Sequence, residues 1–255
     1  MSISFDASDI VAGILPGGAT TSRSISVESL EAVVAGCPRG AALSDYEEAA
    51  LERNLLGKQT YEGRRRAFRG LTELYLMDPR RILFRSLRDL WVEDQPSHSL
   101  LAGLCAYARD STFRASGAAV LVAEPGDIVS TDQIASMLSQ KFPMTYNEAS
   151  LQKLARNTAS SWLQVGHLLN STAKKRVRVE ATPAAMTYAM LLGHLQGLRG
   201  ADLLDSGWAR FLDLDLAAAQ DLADAASRSR YIEYKSGGGV VEVGFRHLLR
   251  DEASS

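Results

Sequence analysis

Residues 130–179, STDQIASMLSQKFPMTYNEASLQKLARNTASSWLQVGHLLNSTAKKRVRV, decide how this chain is read. Ser130 is placed as an N-cap, its hydroxyl accepting a free backbone N–H at the start of a helix over Thr131 to Gln140. Phe142, Pro143 and Met144 make a turn. A longer helix follows from about Asn147 to Leu169, because Leu151, Leu154, Ala155, Thr158, Trp162 and Val165 fall on one side at about 100° per residue. Val177 and Val179 then alternate with Arg176, Arg178 and Glu180, a period of two with β-branched residues that marks a short strand. Short helix, turn, longer helix and basic strand is the order of a winged helix-turn-helix. In that motif the second helix enters the major groove and the wing lies on the backbone.

The side of the longer helix opposite its apolar stripe carries Gln152, Lys153, Arg156, Ser160 and Gln164, with Asn157 at its edge and no acid. Arg and Lys can pair with guanine edges, Asn and Gln with adenine edges, and all of them can bind phosphate. An ordinary solvated helix must also be polar, so the same face fits a structural role. Lys174, Lys175, Arg176 and Arg178 are close enough to follow a phosphate backbone, each neutralised phosphate releasing counterion. A lysine-rich edge strand that blocks unwanted pairing reads the same way.

A second basic element lies upstream, in GKQTYEGRRRAFRGLTELY at 57–75. Tyr61, Ala67, Phe68, Leu71, Leu74 and Tyr75 form its apolar stripe, and Arg65, Arg66 and Arg69 point away from it. Arg64 falls near the middle of the stripe, which suggests an interface or a side chain whose stem packs while its head reaches out. Charge follows the same two regions. Residues 52–91 hold ten basic and five acidic residues, net +5, and residues 141–178 hold seven basic residues against Glu148, net +6. With a total of −2, the remainder carries −13. Two basic blocks on an acidic chain point to a polarised surface and an anionic partner.

Around these elements the chain reads as helices. They are expected near 26–36, from Ser44 to Leu55, from Thr60 to Met77, over 80–93, from Ser99 to Ala108 and from Thr112 to Ala123. Glu124, Pro125, Gly126 and Asp127 are the clearest punctuation, and a domain boundary is placed there. Downstream, helices are expected from Pro183 to Gln196, Asp205 to Phe211 and Leu214 to Ser227. In RYIEYKSGGGVVEVGF (230–245) two β-rich runs flank a Ser-Gly-Gly-Gly turn. Asp213, Asp215, Asp221 and Asp224 make the preceding helix acidic, suited to packing or protein contact. The expected architecture is mainly α: a helical bundle with winged helix-turn-helix-like units and short β-hairpins. One hairpin is expected after residue 174 and one at 230–245. Residues 1–124 are read as a helical domain carrying the basic helix. Residues 125–255 are read as a helical domain with the helix-turn-helix and hairpin wings.

Other function classes find little support. At 46% hydrophobic and 23% charged the chain is globular in composition. No apolar run nears the roughly 20 residues that cross a bilayer. The start, MSISFDASDI, lacks a basic region followed by an apolar stretch, so no signal peptide is expected. Cys37 and Cys105 are isolated thiols that suit a reducing cytoplasm, the expected compartment. His98, His167, His194 and His247 sit far apart with no metal-ligand spacing. Gly237–Gly239 lies between strands, so it is a hairpin turn and not a phosphate loop. The expectation is a protein without enzymatic turnover, metal or cofactor.

RNLLGKQTYEGRRRAFRGLTELYLMDP (53–79), SWLQVGHL (161–168) and RYIEYKSGGGVVEVGF (230–245) together resemble the BrxA family, small accessory proteins of bacterial BREX phage-exclusion systems. The resemblance is one of pattern and order over most of the chain. It implies a compact, largely helical protein that binds double-stranded DNA, alongside other proteins of such a system; an older label of the family as inner-membrane proteins is opposed by the lack of a spanning segment in this sequence. It carries over no catalytic residue. The alternatives are a protein-interaction subunit docking on an acidic partner, and an RNA-binding helical protein.

Overall fold

The structure is a computed structural model that describes residues 9–170 and 173–250. Among these the chain forms eleven α-helices and two antiparallel hairpins. The first six helices are α1 (Val27–Ala35), α2 (Leu43–Leu51), α3 (Tyr61–Tyr75), α4 (Ile82–Glu93), α5 (His98–Arg109) and α6 (Ser111–Val120). Thr60 caps α3 as its sequence suggests, its hydroxyl accepting from Gly63 N. The N-cap of α2 is Ala42 and not Ser44, because the Asp45 carboxylate reaches back to accept from Ala42 N. That helix stops at Leu51, four residues short of the expected end, since Asn54 turns the chain with φ +54°.

α5 is the hub. Leu100 through Ala106 are all buried, and the helix packs against α1, α3, α4, α6, α8 and α9. Gly103 permits a close approach to α8 (Glu148–Val165), because a Cβ there would lie 2.7 Å from a Val165 methyl. α9 (Pro183–Leu195) is likewise buried from Ala184 to Gly193, and Tyr188 donates its hydroxyl to the Leu83 carbonyl. Helices apolar all round belong in the middle of a fold. The turn at Glu124–Asp127, read above as a boundary, lies between α6 and α7, which pack on each other. One buried apolar cluster runs from Ile10 to Leu248 across it.

The stretch that opened the reading forms α7 (Thr131–Lys141), α8 (Glu148–Val165), β1 (Leu168–Asn170) and β2 (Lys174–Arg176). Ser130 and Gln133 cap α7 reciprocally. α8 ends earlier than expected. Gly166 takes the left-handed conformation at φ +96°, and Leu168 and Leu169 belong to a strand. The hairpin therefore precedes residue 177 instead of following 174: β2 is the basic strand, and its partner is β1, with Leu168 opposite Arg176. Val177 to Val179 lie outside the ladder. Ile128 bridges β2 from the other side, opposite Lys175, so the order across this small sheet is residue 128, β2, β1.

The last part repeats the order. α9 leads through a 3-10 turn at Gly200–Leu203 to α10 (Gly207–Phe211), α11 (Leu216–Arg228) and the hairpin β3 (Glu233–Gly237) and β4 (Val240–Gly244). The 3-10 turn packs on β4 as residue 128 packs on β2. Gly238 and Gly239 both have positive φ, +59° and +81°, which a two-residue hairpin turn requires and other residues resist. Among the described residues no helix is long and apolar enough to cross a membrane.

Candidate nucleic-acid interface

The two basic blocks sort, residue by residue, into exposed and internal charge. On the hairpin Lys175 is exposed and Lys174 half-buried, its ammonium 3.4 Å from the Thr131 hydroxyl. Arg178, beyond the ladder, is exposed. Arg176 corrects the reading of this strand as four surface cations. It points inward, only 2% exposed, donates from Nε to the Val120 carbonyl at 2.9 Å and ion-pairs with Asp213. A phosphate cannot reach it. The cause is the pleat: with Lys175 facing out, the neighbours along the strand face in.

On α8 Trp162 is fully buried, its indole N–H bonded to the Ser116 hydroxyl at 2.8 Å, as the apolar stripe requires. The opposite side is not one open face. A strap of extended chain and one 3-10 turn, residues 17–27, runs along its C-terminal half. Asn157 donates to the Thr20 carbonyl, Ser161 accepts from Ile25 N, and the Gln164 side chain both accepts from Val27 N and donates to Ser24. The strap is clamped at its other side by Asp110, whose carboxylate accepts from Thr20 N, the Thr20 hydroxyl and Phe113 N. Burial pushes that carboxyl above the usual range. Asn157 thus has a structural engagement, and Ser160 lies half-buried beside Gln164. Lys153 and Arg156, nearer the start of the helix, remain exposed with no ion pair among the described residues. Gln152 donates to Asp132 at 3.0 Å.

On α3 Arg65, Arg66 and Arg69 are exposed, as read, with Arg65 paired to Glu62 one turn away. Arg64 resolves the oddity of its position. It donates to the Leu51 carbonyl at 2.7 Å and to Lys58 O, so it caps the end of α2. The rest of this block divides: Arg85 donates to Leu248 O, Arg88 lies against Asp89 and Arg81 is bound to Asp9, while Arg53, Lys58 and Arg80 are exposed. The acidic reading of α11 also divides. Asp213 belongs to the Arg176 pair and Asp215 caps the helix through Ala218 N, leaving Asp221 and Asp224 on its exposed face.

Other chemistry is sparse. No group of three His, Cys, Asp or Glu among the described residues is placed to hold a metal ion. His167 is buried between Trp162 and Phe211, and its Nε2–H donates to the Phe211 carbonyl at 2.7 Å. Burial holds its pKa down at about 4, so the ring is neutral.

The strap was missed in the sequence. The one local hint is its run of hydroxyl residues, Thr20, Thr21, Ser22 and Ser24, side chains that readily bond neighbouring backbone. Comparison with known proteins gives no matching family model and no matching curated protein.

Proposed function

We propose that this chain binds duplex DNA without turnover, using α6, α7, α8 and the β1–β2 hairpin as a winged helix-turn-helix. The observation that carries the reading is the order helix, bridging residue 128, helix, helix, hairpin, with residue 128 and β1 flanking β2. Exposed cations lie at the two places such a unit uses. Lys153 and Arg156 are in the first half of α8, and Lys175 and Arg178 are on or beside the wing. The strap covers α8 only beyond these residues. Because the Gln152 and Asn157 amides are already hydrogen-bonded within the chain, Gln152 at the surface and Asn157 half-buried, phosphate contact outweighs base readout, and binding is largely indifferent to sequence. The setting we assign comes from the BrxA-like runs quoted above: an accessory protein of a bacterial phage-exclusion system.

A second reading, docking on an acidic protein partner, uses the same cations. A fluorescence-anisotropy titration of a ~20-base-pair duplex at several salt concentrations separates them. Affinity that falls steeply with salt supports the first. No binding even in low salt, with an acidic protein recovered instead, supports the second. Tighter binding to a single-stranded RNA competitor than to duplex DNA moves the assignment to RNA.

A further inference from the structure

The basic residues of α3 and α8 are far apart in sequence, and the strap lies between them. On one side it is bonded to α8 at Asn157, Ser161 and Gln164. On the other, Arg23 Nη1 donates to the Arg66 carbonyl at 2.7 Å. The guanidinium lies against Gly70, where a Cβ would come within 2.3 Å of Nη1. No side chain stands between Arg23 and the backbone of α3 at that point, and Arg23 itself is half-exposed.

We infer that Arg23 joins the two basic blocks into one cationic tract, from Lys153 and Arg156 across the strap to Arg66 and Arg69, and that a single duplex lies along it. The inference rests on the DNA-binding reading above. Along α8 the tract is short: Lys153 to Ser161, where the strap is bonded, is eight residues, or about 12 Å of helix. A duplex carries a phosphate charge every ~1.7 Å of axis, so it can match several cations over that length. Arg23, Arg66 and Arg69 interact as like charges. Burial first, and then Arg69 and Arg66, lower the Arg23 pKa, against the opposite pull of Glu73. Glu47 and Glu62 share a groove with Arg66 and Arg69, yet no acid is ion-paired to Arg23, Arg66 or Arg69 among the described residues, and a polyanion would relieve the repulsion between them. A purely structural staple would need the carbonyl bond and not the charge, which is the distinction to test.

The test is a salt titration of binding to a labelled ~20-base-pair duplex for wild type, Arg23→Gln, Arg23→Lys, the pair R66A/R69A and the pair K153A/R156A, each checked for an unchanged thermal melt. The expected result is a several-fold loss for Arg23→Gln with a salt slope shallower by about 0.9, near-wild-type binding for Arg23→Lys, and losses for both pairs. Equal losses for Arg23→Gln and Arg23→Lys would make Arg23 a staple and overturn the tract. Wild-type binding by Arg23→Gln, or a loss confined to one pair, also overturns it and leaves the DNA-binding reading standing. Wild-type protein that fails to bind in low salt defeats that reading itself, and the tract with it.

Discussion

Arg176 and Asp213 form an ion pair in which the arginine side chain is 2% exposed and the aspartate 13%, tying β2 to the residues before α11. Asp213 also accepts from Val179 N, and Arg176 from Nε holds the Val120 carbonyl at the end of α6. Removing one partner leaves the other charge buried alone. Asp213→Ala is therefore expected to cost about 3–5 kcal/mol in urea denaturation, whereas replacing both partners by apolar residues should recover much of the loss. A single-variant cost below about 1 kcal/mol, the range of surface pairs, would show that the pair is solvated.

The cations on and beside the hairpin that lack a buried ion pair give the complementary case. Lys174, Lys175 and Arg178 changed together to Ala should leave the urea midpoint almost unmoved and weaken binding to all duplex sequences alike. The salt slope should fall by up to about 0.9 for each phosphate that is no longer neutralised. Arg176 must be left out of this variant, since its loss would be read as binding while acting on stability. An unchanged slope would remove the hairpin from the interface.

His167 sets a pH window. Burial lowers its pKa to about 4, while in the unfolded chain it is about 6.5. Above 6.5 the ring is neutral in both states and contributes no pH dependence. Between 6.5 and 4 only the unfolded chain takes the proton, so stability drops by about 1.4 kcal/mol per pH unit, and below 4 the contribution levels off. His194, lowered by burial and Arg199, acts in the same direction, and the raised Asp110 in the opposite one. Comparing wild type with His167→Phe cancels both. The variant starts lower, having lost the bond to Phe211 O, and its stability should fall less steeply across the window. Parallel curves would refute the assignment.

The two thiols should differ sharply. Cys105 is fully buried, its pKa pushed up to about 11 by burial, whereas Cys37 is half-exposed beside Arg53. Titration of the native protein with a disulfide reagent should count one thiol, and two after denaturation. Two fast-reacting thiols in the native state would mean that the helices around Cys105 open readily.

Most helices were legible because their signals are local. Thr60, Ser130 and Asn147 announce starts, and Gly238–Gly239 announces a turn. The site was legible only in part. The alternation of Val177 and Val179 suggested a strand whose arginines face out, yet the ladder ends at Arg176, whose partner lies 37 residues on. No local pattern encodes that choice. The wheel of α8 correctly separated Trp162 from the polar side. It could not show that Asn157 and Gln164 would be taken by backbone from residues 20 and 27, because hydrogen bonds over 137 positions leave no period to read.

The strap also fixes an order of events during synthesis. Thr20 leaves the ribosome well before Asn157 and Gln164, the side chains that receive the strap, and before the Tyr146 hydroxyl that accepts from Gly17 N. At about 5–20 residues per second, that gap amounts to roughly 7–27 seconds. For that interval the segment can be held only by partners already made, Asp110, Tyr75, Thr112 and the Arg66 carbonyl, while its side toward α8 waits to be filled.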